Sequence, residues 1–414
     1  MTWLSLAFRN LLRNARRSIT TIAAVALGYA AVNVFGGFAT YMFTSIREAY
    51  IYDQANGHVQ IWKRDARDYG GADPGAFLLS AEDFAEIKAA AEKDDRIELA
   101  AGMLEVRGNV DYDGNQSFFL GRAMVPEEQD QIQEKATALR GRKDKRFEGT
   151  AITSATPESI GITTGMQKNF GLKLGADVTL MGPDVTGQLN GVNAQVTQIL
   201  ELASEKLNKR FVYLPLELAQ AFYTTADVSC VRLLLKNEAD TDFVTADLKK
   251  TFADRDWEIF TWYEISDLYG RTKRMFDIIF GLVFVIIITI STMSVLNTIG
   301  MAVVERTKEI GTLRAIGLKR PGVVRLFGIE SGLLGLIGAL LGLLITVAFS
   351  LTVRAIKPMW DPPVSSRSVV WEIKLVPEYL VVSFVLLVLF TFIAAIAPAR
   401  RAARQPVVDS LGHV

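Results

Sequence analysis

Residues Asn297–Gly317 read NTIGMAVVERTKEIGTLRAIG, a charged stretch joined directly to the end of a long apolar run. Upstream, residues 275–303 hold one formal charge, Asp277, close to their outer end. Downstream, Glu305, Arg306, Lys308, Glu309 and Arg314 alternate in sign around Ile310, Leu313 and Ile316. An apolar residue at every third position places these three on one face of a continuing helix. Gly311 and Gly317 let another backbone or a partner protein come close. A membrane helix that runs into a short amphipathic helix can grip a soluble motor. The plain alternative is a juxtamembrane helix laced with salt bridges.

Half of the 414 residues are apolar and the mean hydropathy is positive, at +0.22. A hydrocarbon core of roughly 30 Å needs about 20 apolar residues. Four stretches are long enough: Ile19–Phe43, Met275–Val303, Phe327–Val353 and Tyr379–Pro398. The first is too long for a cleavable signal, and no small-residue cleavage site follows it. The net charge of zero hides a separation. Residues 46–270 carry 37 acidic and 25 basic side chains, so the remainder carries 8 and 20. Thirteen of those 20 cations sit at Arg9–Arg17, Arg306–Arg325 and Arg400–Arg404. With four spans all three segments share one side, which the positive-inside bias makes cytoplasmic. The order is then a cytoplasmic amphipathic lead (1–18), a first span with the start of a stalk (19–45), and an outer α+β domain (46–270). The second span (275–303), a cytoplasmic coupling segment (304–325), the third span (326–353), an outer loop (354–378), the fourth span (379–398) and a cytoplasmic tail (399–414) follow.

Other function classes find no support. Cys230 is the single cysteine, which leaves no intramolecular disulfide. His58 and His413 are the two histidines, and no Cys/His/carboxylate spacing suggests a metal site. No G-x-x-x-x-G-K-[ST] loop occurs, so any ATPase is expected on a separate polypeptide. The acidic pairs Asp94-Asp95 and Glu127-Glu128 have no nucleophile or base around them, so no enzyme activity and no nucleic-acid partner is expected.

In the outer region, residues 44–56 extend the first span as a stalk and Trp262–Lys273 form a returning stalk leading straight into the second. His58–Trp62 reads as a strand. Ser80–Lys93 reads as a helix capped by Ser80 with Asp83 three residues on. Met103–Asp111 and Gln116–Ala123 flank an Asp113-Gly114 turn as a hairpin. Asp177–Met181, Val192–Leu202, Arg210–Tyr213 and Ser229–Leu235 read as strands. Thr164–Gly171, Leu216–Tyr223 and Asp242–Arg255 read as helices. Turns are expected at Pro183-Asp184 and Asn190-Gly191.

The opening stretch resembles the cytoplasmic coupling segment of FtsX/MacB-type ABC transporter permeases, whose pattern is ERxxEIGxxRAxG. Glu305-Arg306, Glu309-Ile310-Gly311, Arg314-Ala315 and Gly317 match it. PARRAARQPVVDSL (398–411) resembles the family's C-terminal signature at Pro398, Arg400, Ala402 and Pro406. GITTGMQKNFGLKLGADVTLMG (161–182) is similar to an element of the MacB-like periplasmic core. NGVNAQVTQILEL (190–202) with RFVYLPLELAQAFY (210–223) resembles the lipoprotein-releasing (LolC/LolE-type) members, although Gln198 stands where those usually have glycine. The resemblance implies a bacterial inner-membrane permease working by mechanotransmission, with no cofactor of its own. ATP and Mg would be bound by a partner ATPase dimer. A second permease copy or a paralogue completes the implied assembly. The cargo would be a lipoprotein or another amphiphile, received by a periplasmic carrier or adaptor. Alternatives are MacB-like efflux of a peptide or small molecule through an adaptor and outer-membrane duct, and an FtsX-like scaffold regulating a cell-wall hydrolase.

Several features have both a structural and a functional reading. Glu330, an ionisable group in the third span, is either paired with Arg325 or Arg306 or active in transmission. The stripe Gly328, Gly332, Gly335, Gly338 and Gly342 suits tight intrachain packing. In the resembled family the first two spans line a central cavity. On that basis Gly28, Gly36 and Gly37 are assigned to a dimer seam, with Tyr41, Phe43, Phe276 and Phe280 beside the seam or an amphiphile access route. Tyr41, Phe43, Tyr50 and Tyr52 otherwise form an interfacial aromatic belt. Arg140, Arg142, Lys143, Lys145 and Arg146 make a solvated basic run, or a contact to anionic headgroups.

Overall fold

The structure is a computed structural model that describes residues 3–71, 73–140, 147–202, 205–360, 369–404 and 406. It divides into two compact units. One comprises Met1–Thr44, Thr272–Pro358 and Val370–Val414; the other comprises Ser45–Arg271 and Met359–Val369.

The first unit holds a lead helix (Trp3–Arg13) and the membrane helices. Among the described residues, four helical stretches are long and apolar enough to cross a membrane: Ala15–Asp53, Tyr269–Glu305, Arg320–Ile356 and Pro377–Arg404. The α+β domain is inserted between the first and second of these spans, the plan read from the hydropathy. Small residues set the packing, as van der Waals contact between close backbones is the main attraction in lipid. A Cβ on Gly342 would lie 2.6 Å from the Ala26 carbonyl oxygen and 2.8 Å from Tyr29 Cβ. Gly338 meets Val25 in the same way. Gly328 and Gly335 instead face Phe392 and Thr391 of the fourth span. The stripe therefore divides between two neighbours of the third span, and its intrachain reading holds. Buried polar pairs tie the same helices. Thr21 and Thr298 hydroxyls lie 2.5 Å apart, the Asn33 amide donates to Ser383 Oγ at 2.9 Å, and Tyr29 donates to the Leu380 carbonyl at 2.9 Å.

The second unit is built on one mixed sheet. Its strands are β1 (Val59–Lys63), β2 (Ile97–Tyr112), β3 (Asn115–Met124), β4 (Phe147–Gly149) and β5 (Ser159–Thr163). They continue with β6 (Asp177–Pro183), β7 (Leu189–Leu200), β8 (Phe211–Pro215), β9 (Cys230–Leu235) and β10 (Trp257–Thr261). The order is β10-β1-β9-β2-β3-β8-β5-β7-β4, with β6 bridging the far end of β2 to β7. Pairs β3–β8 and β5–β7 are parallel and the other pairs antiparallel. Both faces of β9 are covered. Val231, Leu233 and Leu235 join the main core with Ile87, Val244 and Leu248 of two helices, Ala81–Ala91 and Thr241–Thr251. Cys230 and Leu234 point to a second cluster with Trp62, Met124 and Ile132. Strands buried on both faces read as near-continuous apolar runs, as β9 does apart from Arg232. Burial also pushes the Cys230 thiol up to about 11.

Local chemistry explains the elements. Ser80 and Asp83 form a reciprocal capping box. Asp113 and Gly114 both take positive φ (50° and 78°), the geometry a two-residue hairpin needs. Three expectations need correction. Asn190-Gly191 is not a turn but lies inside β7, where Asn190 pairs with Gly182 and Gly191 with Met181. The turn is made by Asp184, whose carboxylate accepts from the Thr186 and Gln188 amides. The returning stalk is interrupted. A short helix, Trp262–Ile265, ends at Ser266, whose ψ of 80° is not helical, before the second long helix starts at Asp267. Tyr50 and Tyr52 pack in the outer domain against Trp262 and His58 rather than forming a belt. Residues 141–146 of the basic run and 405 and 407–411 of the C-terminal signature lie outside the described residues.

Candidate coupling site

The helix of the second span ends at Glu305. Arg306 departs from helical dihedrals (φ −107°, ψ 18°) and caps a separate helix, Thr307–Ala315, the candidate coupling helix. The expectation of one continuing helix is thus corrected. Two local causes act at the junction. The Thr307 hydroxyl donates back to the Val303 and Val304 carbonyls at 3.1 and 2.9 Å, a bond of the kind that bends helices. The Arg306 side chain also turns inward to a buried carboxylate. At its far end the coupling helix closes with Leu318 N–H on the Leu313 carbonyl and Gly317 N–H on the Arg314 carbonyl. Such a cap needs a left-handed residue, and Gly317 supplies it at φ +104°.

The charges form one connected set. Arg306 donates to Glu330 at 3.0 and 3.3 Å and to Glu309 at 2.9 Å. The Arg306 and Glu330 side chains are 9% and 4% exposed, so this is a desolvated pair. The Asn10 amide also donates to Glu330, and the Phe327 ring lies 5.7 Å beneath the guanidinium. Outside this core, Arg13 reaches Glu309 at 2.6 Å and Arg17 grips Glu305 with both terminal nitrogens at 2.9 and 3.1 Å. Burial pushes the Glu309 carboxyl up, but hydrogen bonds from Arg306 and Arg13 outweigh it and hold the group below its usual value. The outer pairs are partly exposed, and such pairs contribute about 0.2–1 kcal/mol each. Ile310 and Gly311 face inward, where Ile310 joins Val303, Phe327, Ala399 and Ala402. Four helices are thereby locked to the coupling helix: lead, second span, third span and the C-terminal segment Ile396–Arg404.

Residues 281–407 match the profile of the FtsX-like permease C-terminal region, and residues 18–251 match that of the MacB-like periplasmic core domain. The chain belongs to the FtsX/MacB permease family. An uncharacterised ABC transporter permease of Methanocaldococcus jannaschii is 27% identical over 164 residues, 40% of each chain. The macrolide export ATP-binding/permease protein MacB of Escherichia coli K12 is 30% identical over 158 residues, 38% of this chain and 23% of that protein. The chain thus spans between about a quarter and two fifths of the length of these relatives. The crystal structure of the periplasmic region of MacB from Actinobacillus actinomycetemcomitans overlays 52% of this chain and 92% of that one, at 11% identity and a TM-score of 0.36.

In this FtsX/MacB permease the matched motif serves two faces. Arg306, Glu309, Ile310 and Gly311 hold the coupling helix down, Glu305 ties the end of the second span to Arg17, and Lys308, Thr312, Ala315 and Ile316 stand outward. Ile316 is 77% exposed, which corrects its placement beside Ile310. A step of three residues falls short of the 3.6-residue turn by about 60°, so two steps swing Ile316 roughly 120° away from Ile310. Leu313 and Arg314 lie between, half-buried. Arg306, rather than Arg325, is the partner of Glu330. Asn10, Arg13 and Arg17 were not legible as partners, since they lie some 300 positions away in sequence, as the 320 and 288 residues separating Asn10 from Glu330 and Arg17 from Glu305 show. Their spacing was the available signal: 10, 13 and 17 share one helical face.

The first-span glycines assigned to a seam are packed against neighbours within the chain. A Cβ on Gly36 would touch Tyr379 and Phe280, and one on Gly37 would lie 2.3 Å from the Lys374 carbonyl oxygen. That face is taken within the chain, and Gly28 likewise meets Ile287 and Ser291. Phe43 stands edge-on to Phe276 at 5.5 Å, and Phe280 lies 5.6 Å from Tyr379. Tyr41 donates to the Val370 carbonyl at 2.5 Å. These aromatics close an intrachain cluster.

Proposed function

We propose that the chain is the transmembrane subunit of an ABC transporter in the bacterial inner membrane, with both termini cytoplasmic. A separate ATPase dimer binds ATP and Mg and docks on the exposed face of the coupling helix. A second permease copy or a paralogue completes the complex. Its closure moves the lead, second-span and third-span helices as one body, because the Arg306–Glu330–Glu309 set binds them together. This locked inner face with an open outer face is the observation that carries the reading. Movement reaches the outer domain through the second long helix, which runs unbroken from Asp267 to Glu305. Such rigid-body transmission does work outside the membrane without passing cargo through it.

The cargo we favour is an amphiphile, a lipoprotein above all, taken from the outer leaflet and handed to a periplasmic carrier. Resemblance of residues 190–223 to the lipoprotein-releasing members supports it. The likeness to a macrolide export protein favours a second reading, export of a small molecule through an adaptor. Gentle purification from the native host with mass spectrometry of proteins and lipids tests both. An ATPase with an acylated lipoprotein supports extraction; an ATPase with a membrane-fusion adaptor supports export. Absence of any ATPase overturns the proposal.

A further inference from the structure

A cavity of about 230 Å³ opens in the outer domain, lined by Arg67, Arg107, Arg122 and Arg232 with Glu105 as the one carboxylate among its lining residues. Arg232 is unusual. It is the lone charge in the strand CVRLLL and is 1% exposed. A buried cation is costly unless it is paired and hydrogen-bonded. Arg232 Nη1 donates to the Ala55 carbonyl at 2.9 Å, and Arg122 Nη1 donates to the Gln54 carbonyl at 3.2 Å. Both carbonyls lie just past the π-helical turn Ala49–Asp53 that ends the first long helix. The two guanidinium groups therefore sit at the negative end of a helix dipole, which accounts for one nitrogen of each. The Nε atoms of both are buried with no partner, and neither arginine pairs with a carboxylate among the described residues. Burial, and then the Arg122 charge, pull the Arg232 pKa down from its usual value, as expected of a cation short of counter-charge.

Several other polar groups of the wall are already hydrogen-bonded, and the Glu105 carboxylate acts on Arg232 through its charge. Trp62 Nε1 donates to Gln60, Gln60 donates to the Asn56 carbonyl, and the Tyr223 hydroxyl accepts from the Arg107 amide. Phe77 closes one side. At the mouth Arg67 and Arg107 are exposed. The Nε of Arg122 and of Arg232 each lack an acceptor. Guanidinium groups present planar forks that match oxyanions with two hydrogen bonds at once. The volume falls below the roughly 300–1,000 Å³ of pockets for drug-sized ligands, which limits the ligand to a small group.

We infer that this cavity is a binding site for a phosphate or carboxylate group, held by Arg122 and Arg232 and admitted past Arg67 and Arg107. The group is carried either by a dissolved small anion or by a lipid headgroup. The site stands apart from the transporter reading, since it rests on the outer domain alone.

The test uses the full chain in phosphatidylcholine nanodiscs, titrated calorimetrically with inorganic phosphate against chloride of equal ionic strength. Saturable binding at one site per chain is expected. Arg122→Gln removes one charge-assisted contact and should weaken it about tenfold to a hundredfold. Arg232→Gln risks the fold, so Arg67→Gln at the exposed mouth serves as the second variant, with a smaller loss expected. Exposed Lys173→Gln, outside the cavity lining, should change nothing. Repeating the titration in discs containing phosphatidylglycerol separates the sources. Phosphate heat abolished there identifies a headgroup as ligand, and heat unchanged identifies a dissolved anion. No saturable binding in phosphatidylcholine discs, or binding indifferent to both Arg122→Gln and Arg67→Gln, overturns the inference.

Discussion

Replacing Arg306 with Met leaves the Glu330 carboxylate buried without its cationic partner. Breaking a buried pair from one side costs about 3–5 kcal/mol. A ceiling applies, because a stranded carboxyl can take up a proton. From an ordinary pKa of about 4.3 that costs about 3.7 kcal/mol at pH 7, at about 1.4 kcal/mol per unit. The Arg306–Glu309 contact adds little, since Arg13 still holds Glu309 at 2.6 Å and that carboxylate is 38% exposed. The expected loss is therefore about 3–4 kcal/mol, localised where the coupling helix meets the third span. The double variant Arg306→Met/Glu330→Met removes both charges and keeps apolar volume, so it should stay within about 1 kcal/mol of the parent. Hydrogen–deuterium exchange of peptides covering 305–317 reads the difference. Exchange by local opening should quicken about a hundredfold to a thousandfold in Arg306→Met and less than about tenfold in the double variant. The single variant's deficit should also shrink as the pH falls below 7. Equal acceleration in both variants, or none in Arg306→Met, would refute the buried-pair argument.

Other expectations are as direct. Gly342→Ala, forced against the Ala26 carbonyl and Tyr29, should lower stability by about 1–3 kcal/mol, whereas Gly332→Ala meets nothing closer than 3.6 Å and should be near neutral; thermal unfolding in detergent compares them. His58 is fully buried, and burial, then the Lys135 and Arg47 charges, bring its pKa down to about 4. The unfolded chain then takes the proton first, so stability is full above pH 6.5 and falls by about 3 kcal/mol towards pH 4. His58→Gln should flatten the unfolding midpoint over that window. Replacing Glu309 or Arg314 should let a reconstituted complex hydrolyse ATP while transport fails and the outer domain stays folded; unimpaired transport would count against the coupling role.

What the sequence disclosed tracks the range of the forces involved. Spans, the Ser80 capping box and the Asp113-Gly114 hairpin are set by neighbours within a few residues, so periodicity and turn chemistry reveal them, whereas Gly317, read as a point of close approach, proves to be a helix cap. Glu330 declared itself because an ionised group in a membrane helix demands a partner. Which partner it takes depends on a break at Arg306 that a continuous helix pattern hides. Asn10 and Arg13 on the lead helix and Arg17 at the start of the first span join the site only through tertiary packing. Asn190-Gly191 misled because Asp184 had already made the turn. Arg232 stood in plain view as a lone charge in an apolar strand, yet its meaning needed the cavity and the carbonyl of Ala55 beside it.

The claim at the centre is that the outward face of the coupling helix seats a separate ATPase. A photo-crosslinking amino acid placed at Ile316, Lys308 or Thr312 in membranes of the native host tests it, with the exposed Val304 of the second span as control. Crosslinking from the three coupling positions to an ABC ATPase, and none from position 304, is the expected result. Membranes in which none of the three positions captures an ATPase would contradict the account.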